Sequence, residues 1–270
     1  MSKPRAQHIF SSAATVAAGL CAAPFLIGAA SAQAPQPAAA VPAPPPPKPW
    51  QNKITAGLTL SRGNSDSVQA TIVAESKRKW ERDELFLNAA FGYGKTKDQA
   101  TGDYIKSDDY LTAGVQWNHL FTPKLYGGLK LDYRHDDVAD LDYRFTVSPL
   151  VGYYFIKNAK DTLAGEIGPG LVYQKQGGDT DNFFTIRFGE RYEHKFGDKA
   201  RFWESVEYLP QVDDWANNYL INAEAGIETS ITKSVSLRLV AQDNYNNKPA
   251  ADREKNDFKL IAALSYSFGF

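Results

Sequence analysis

From Trp50 onward, apolar and polar side chains alternate one for one along the chain. That is the two-residue period of a β-strand, and it excludes helices for this whole region. Short gaps rich in Gly, Asp, Asn, Lys and Pro break the alternation into about twelve stretches. Their approximate spans are 50–61, 67–80, 84–97, 104–121, 124–135, 141–156, 161–175, 182–196, 200–212, 215–231, 234–246 and 256–270. Leu125, Gly127, Leu129, Leu131 and Tyr133 share one side of the fifth stretch, against Tyr126, Gly128, Lys130, Asp132 and Arg134. In the last, Phe258, Leu260, Ala262, Leu264, Tyr266, Phe268 and Phe270 oppose Lys259, Ser265, Ser267 and Gly269.

A soluble barrel or sandwich turns its apolar face inward, and a membrane barrel turns it outward to lipid. Three features favour the membrane barrel. First, the gaps alternate in length. Those at 81–83, 122–123, 157–160, 197–199 and 232–233 are short, and several of the others, at 98–103, 136–140, 177–181 and 247–255, are longer. Short turns on one side and longer loops on the other are the membrane-barrel pattern. Second, Trp50, Trp80, Trp117 and Trp203 fall beside the N-terminus or a short turn. Together they predict an indole belt at one lipid–water interface. Third, the chain closes on Tyr266, Phe268 and Phe270 in an alternating strand. This resembles the C-terminal signal that the barrel-assembly machinery reads in outer-membrane proteins. The expectation is an all-β fold, an antiparallel transmembrane β-barrel of about twelve strands over 50–270. It would sit in a bacterial outer membrane, in contact with lipid and lipopolysaccharide.

The first 49 residues read differently. Lys3, Arg5 and His8 precede an Ala-rich apolar stretch ending in Ala30-Ser31-Ala32, the form of a cleaved export signal over 1–32. Leu20 before Cys21 does not fit a lipoprotein site. Cys21 is the only cysteine, so a processed chain has no thiol chemistry and no disulfide. Residues 33–49 include PQPAAAVPAPPPPKP, which favours a polyproline II spacer over a packed core. A formal net charge of −1 gives no reason to expect nucleic acid. The mean hydropathy of −0.41 is compatible with a barrel whose strands show lipid only one face.

The stretch Ile54-Thr-Ala-Gly-Leu-Thr-Leu-Ser-Arg-Gly-Asn-Ser-Asp66 carries a pattern G-x-x-x-S-x-G-N-S, through Gly57, Ser61, Gly63, Asn64 and Ser65. With Tyr133-Arg134, Tyr143-Arg144 and the terminal Tyr-Ser-Phe-Gly-Phe, it resembles domain-of-unknown-function family 481. Members of that family include salt-induced outer-membrane proteins. The resemblance covers about Lys53 to Phe270. It implies an outer-membrane location and a role in osmotic adaptation, and no defined substrate.

The polar face is the candidate functional surface. In a membrane barrel Glu75, Lys77, Lys130, Asp132, Arg134, Arg144, Glu166, Arg187, Glu224, Glu228 and Arg238 point into the lumen. Charges there need partners or water. Interlocked, they plug the barrel; hydrated, they line a pore for small solutes. Lys130, Arg187 and Arg238, with Glu166, Glu224 and Glu228, are the lumen-lining candidates. A passive pore is the first reading, and a plugged barrel acting through its loops the second. A barrel lipid hydrolase is the third, with little to support it, because His119, His135 and His194 do not lie beside a Ser-containing elbow. No catalytic residue, cofactor or metal site is expected. The acids of the loop at 132–142 predict cross-hairpin pairs Asp132–Arg134 and Asp142–Arg144 rather than a cation site.

Overall fold

The computed structural model describes residues 50–62, 67–97 and 101–269. The expected export signal and proline-rich spacer, most of the Gly63–Ser65 motif region and Phe270 lie outside the described residues. Twelve strands follow in chain order: β1 (Gln51–Arg62), β2 (Ser67–Lys79), β3 (Asp83–Lys97), β4 (Tyr104–Leu120), β5 (Leu125–Asp136), β6 (Leu141–Lys157), β7 (Asp161–Gln176), β8 (Asp179–Phe196), β9 (Ala200–Pro210), β10 (Tyr219–Ser230), β11 (Val235–Asn246) and β12 (Asn256–Phe268). Each pairs antiparallel with its chain neighbours, and β1 pairs with β12 from Asn52↔Phe268 to Arg62↔Phe258. The sheet is a closed barrel, so no strand carries an unpaired edge. That closure is what a lipid environment demands, because lipid offers backbone N–H and C=O groups no partner.

The outer face is apolar and open. Leu58, Ile72, Phe91, Val151, Ile167, Leu237 and Leu264 are all exposed there. In water such a band would be strongly unfavourable, at about 25 cal/mol per Å² of apolar surface. In a bilayer it is the required surface, and the barrel is a membrane-spanning one. Acids interrupt it in places. Glu190, opposite Gly165 and Val206, and Glu204, opposite Tyr192 and Ala225, lie in the same outward rows as Phe188 and Tyr208.

The turns at one end are short for a local reason. At 121–124 the Thr122 hydroxyl accepts from the N–H groups of Lys124 and Leu125, at 3.2 and 2.9 Å. Thr232 repeats this with Ser234 and Val235, and Asn158 with Lys160 and Asp161. A side-chain oxygen thus replaces the missing backbone partner and closes each turn.

At the other end two connections depart from expectation. The predicted loop at 177–181 is only Gly177-Gly178, both at positive φ (60° and 83°). Asp179, Thr180 and Asp181 instead extend β8 against Gln176, Lys175 and Gln174. A two-residue hairpin needs left-handed backbone at both positions, which two glycines supply. Conversely, the tenth strand starts at Tyr219 rather than near Trp215. Residues 211–218 form a longer connection, closed where Asn218 Nδ2 donates to Gln211 Oε1 at 2.5 Å.

Candidate functional site

The site is the barrel interior, and the strand period selects its lining. Burial alternates so that odd positions of β1, β2, β8, β9 and β12 and even positions of β3–β6, β10 and β11 face inward. Contacts between strands that are not neighbours confirm the assignment, because they can only cross the interior. Lys53 on β1 meets Glu228 on β10 at 2.6 Å. Arg238 on β11 pairs with Glu75 on β2 and donates to Thr55 Oγ1 on β1 at 3.1 Å. Tyr154 on β6 donates to Glu84 on β3 at 2.5 Å, and Lys130 on β5 pairs with Glu207 on β9.

These contacts gather in the half of the barrel that carries the short turns. Glu166 is their hub. Its carboxylate accepts from Gln116 Nε2, Tyr126 Oη and Arg191 Nη2, each at 2.8 Å, and lies 2.9 Å from Arg187 Nη1. Arg187, 1% exposed, reaches Glu207 at 2.5 Å with its other terminal nitrogen. On the adjoining strands, nearer the short turns, Arg201 bridges Glu193 and Glu228 at 2.9 and 2.8 Å, and Ser236 donates to Glu228 at 2.6 Å. The result is a girdle of interlocked ions. Burying each charge alone would cost several kcal/mol, and only the reciprocal pairing and hydrogen bonding offset this.

The six lumen-lining residues expected from the sequence, Lys130, Glu166, Arg187, Glu224, Glu228 and Arg238, all have their side chains inside the barrel. Five enter ion pairs; Glu224 accepts from Trp203 Nε1 at 2.7 Å and from Gln242 Nε2 at 2.8 Å.

That contact corrects the expected belt. Trp80 and Trp117 lie on the outer face, 43% and 46% exposed, with Arg78 stacked 4.5 Å from the Trp80 ring. Trp117 donates to Asp83 at 3.0 Å, and Trp50 lies 5.4 Å from Arg78. Trp203 instead points inward, 9% exposed, with the Arg201 and Arg238 guanidinium groups 4.5 and 4.8 Å from its ring. It lies flat over its cross-strand partner Gly226, where an added Cβ would sit 2.2 Å from the indole. Trp203 shares its face with Arg201, Ser205 and Glu207, so strand parity places it inside despite its nearness to a turn. Tyr126 over Gly152 repeats the arrangement. At the chain end Tyr266 and Phe268 face outward as a stacked pair at 6.0 Å.

Beyond the girdle, toward the long loops, lies a cavity of about 340 Å³. Its size is that of a small-molecule site. One wall carries Arg134 and Arg144, and another carries Asn222, Gln242 and Asn244. Above it, the segment 247–255 crosses the mouth. Asn247 Nδ2 donates to the Asn217 carbonyl at 2.9 Å, and Gln176 Nε2 donates to the Lys248 carbonyl at 3.3 Å.

The predicted hairpin pairs at 132–144 do not form. Asp132 lies 3.4 Å from Lys130, and Arg134 pairs with Asp136 at 2.9 Å. The β6–β7 register shifts between Leu141 and Tyr143, so Asp142 turns away to Lys175 at 2.8 Å. A bulge re-aims the side chain it inserts, which spacing alone does not reveal.

The histidines are at the rims. His119 lies 3.1 Å from Asp83, and His194 lies 2.6 Å from Asp161. His135 lies 2.9 Å from the Asp142 carbonyl oxygen. Their ring partners are therefore carboxylates and a carbonyl. No group of three or more potential metal ligands occurs among the described residues.

A solved barrel shares this architecture, and others are similar to the chain more distantly. The NanC porin superposes with a TM-score of 0.53 at 6% identity, over 79% of this chain and 98% of that one. The translocator domain of the autotransporter NalP from Neisseria meningitidis gives 0.49 at 9% identity, over 83% and 90%. The KdgM porin gives 0.46 at 8% identity, over 80% and 99%. At such identities the likeness concerns the fold. No curated protein matches the chain. The family described as protein of unknown function DUF481 matches residues 54–268, from the first barrel strand to the last, and the chain belongs to that family.

Proposed function

We propose that this protein is an outer-membrane, porin-like barrel that admits small polar solutes from its long-loop side and restricts their passage at the ion-paired girdle. The observation that carries the reading is the polar cavity of about 340 Å³ sitting directly above cross-lumen ion pairs. A purely structural barrel needs no such chamber. An open pore would not need Lys130 and Arg187 held on one carboxylate, that of Glu207. The expected export signal over 1–32 and the apolar exterior fit delivery to the outer membrane, where lipid and lipopolysaccharide would surround the barrel. The salt-induced members of the resembled family suggest osmotic adaptation as the setting.

Liposome swelling tests passage. Vesicles holding the folded protein should swell slowly in small sugars, and faster once Lys130→Gln and Glu207→Gln loosen the girdle together. Folded protein of both forms that leaves vesicles as tight as empty ones would refute passage. That outcome would favour a plugged barrel acting through its loops, a reading the girdle itself supports.

A further inference from the structure

Arg144 is a cation without an anion. Its Nε donates to Gln174 Oε1 at 2.7 Å and its Nη2 to Gln176 Oε1 at 2.9 Å. Both acceptors are neutral amides, and Arg144 makes no ion pair among the described residues. The cause is local. The bulge at 141–143 has carried Asp142 to Lys175, removing the carboxylate that regular alternation would have placed nearest to Arg144.

Arg134 stands directly opposite Arg144 in the β5–β6 register. Two like charges facing each other across a ladder are destabilising unless something compensates them. Asp136 forms its ion pair with Arg134 and reaches Arg144 only as a more distant charge. The β5–β6 register also shifts between Arg134 and Asp136, so backbone irregularities flank both arginines. Bulges of this kind gather where a strand must re-aim side chains.

Both guanidinium groups line the central cavity and also the small space beneath the 247–255 segment. They therefore stand on the route from the mouth inward. Five strands away, Asn222 and Asn244 form a register pair on β10–β11, with Gln242 beside them. In a twelve-strand barrel those are opposite walls. One wall offers guanidinium groups, whose geometry suits a carboxylate, and the other offers amides that both donate to and accept from hydroxyls.

We infer that this cavity binds a small hydroxylated carboxylate, its charged end held by Arg144 with Arg134 and its hydroxyls by Asn222, Gln242 and Asn244. The inference deepens the solute-passage reading and rests on it for access from the long-loop side. Its own test is binding.

The full chain, folded in detergent, is titrated calorimetrically with glucuronate, glucose, acetate and inorganic phosphate. Glucuronate should bind, glucose should give no heat, and acetate and phosphate should bind more weakly. Arg144→Gln should weaken glucuronate binding by at least about tenfold, the scale of one charge-assisted contact. Arg144→Lys should lose less. Asn244→Leu should weaken glucuronate and leave acetate unchanged. Lys199→Gln, in a turn at the far end, should change nothing. Folding of each variant is read from its gel mobility before and after boiling; if Arg144→Gln does not fold, Arg144→Lys and Asn244→Leu decide.

No heat with glucuronate would overturn the site. So would equal binding of glucose or phosphate, or a folded Arg144→Gln that binds like the parent. Heat in the calorimeter with no vesicle swelling would refute passage and leave the site standing. Swelling without heat would do the reverse.

Discussion

Glu166→Gln is the sharpest probe of the girdle. The substitution keeps shape and volume, so no cavity forms, and it removes one charge at a side chain that four groups surround. Arg187 retains Glu207, at 2.5 Å. Arg191 retains the Tyr126 hydroxyl, at 3.2 Å, and the Phe86 ring, 5.5 Å away, and loses its carboxylate. Breaking a buried pair by removing one partner costs about 3–5 kcal/mol. The Arg191 side chain is 32% exposed to the cavity and can take up water, so the lower end applies, about 3 kcal/mol. With a slope of about 2 kcal/mol per molar urea, the unfolding midpoint falls by about 1.5 M. The assay is urea unfolding from lipid vesicles, followed by tryptophan emission and by loss of the heat-sensitive gel band. Glu224→Gln is the comparison. Glu224 accepts from an indole and an amide, both neutral, so the loss should be about 1 kcal/mol. Equal midpoints for the two variants would refute the argument that interlocked charge, rather than hydrogen bonding in general, holds the interior together.

Further outcomes follow from the same geometry. Gly226→Ala drives a methyl to 2.2 Å from the Trp203 ring; it should cost about 1–3 kcal/mol and shift tryptophan emission to the red, whereas unchanged emission would place Trp203 elsewhere. Glu190→Leu replaces a charge in a lipid-facing row and should stabilise the barrel in vesicles by about 1 kcal/mol; destabilisation there would point to a partner on that surface. Replacing Gly177 and Gly178 by Ala strains two positive-φ positions and should cost about 2–4 kcal/mol in the same urea assay, while no change would argue against the tight β7–β8 hairpin.

Much of this architecture is legible in the sequence because a membrane strand obeys a single rule. One face meets lipid, so Leu125, Leu129 and Leu131 and their counterparts had to alternate with Lys130 and Asp132. The strand number and the end that carries the short turns follow from that. Three features were not legible, each for its own reason. Trp203 looks like a belt residue from its distance to a turn, although its parity with Arg201 and Ser205 assigns it inward. Parity is the better signal near a rim, where both environments accept an indole. The loss of Asp142 from Arg144 depends on a bulge, which shifts the phase of the alternation within a loop end where too few residues follow to fix it. The ion pairs themselves join strands up to four apart in the barrel, as Lys130 on β5 and Glu207 on β9 do. Such partners are set by closure and stagger, which local sequence does not encode.

The same point revises the electrostatics of the lumen. Lys130, Arg187 and Arg238 are the basic members of the lumen-lining set. All three are paired, with Glu207, with Glu166 and Glu207, and with Glu75, so their fields are largely cancelled. Replacing all three by Glu would dismantle the girdle before it altered selectivity. Above the girdle Arg144, whose partners are amides, faces Glu224, which also has only neutral partners, and the neighbouring Arg134 adds to the cationic side.

Single-channel recording in planar bilayers tests the central claim most directly, by comparing the parent with the Lys130→Gln, Glu207→Gln double variant. The account predicts a parent of low conductance and a folded variant whose conductance rises severalfold, both preferring anions under a salt gradient. A folded variant as silent as a silent parent, or a cation preference in either, would contradict it.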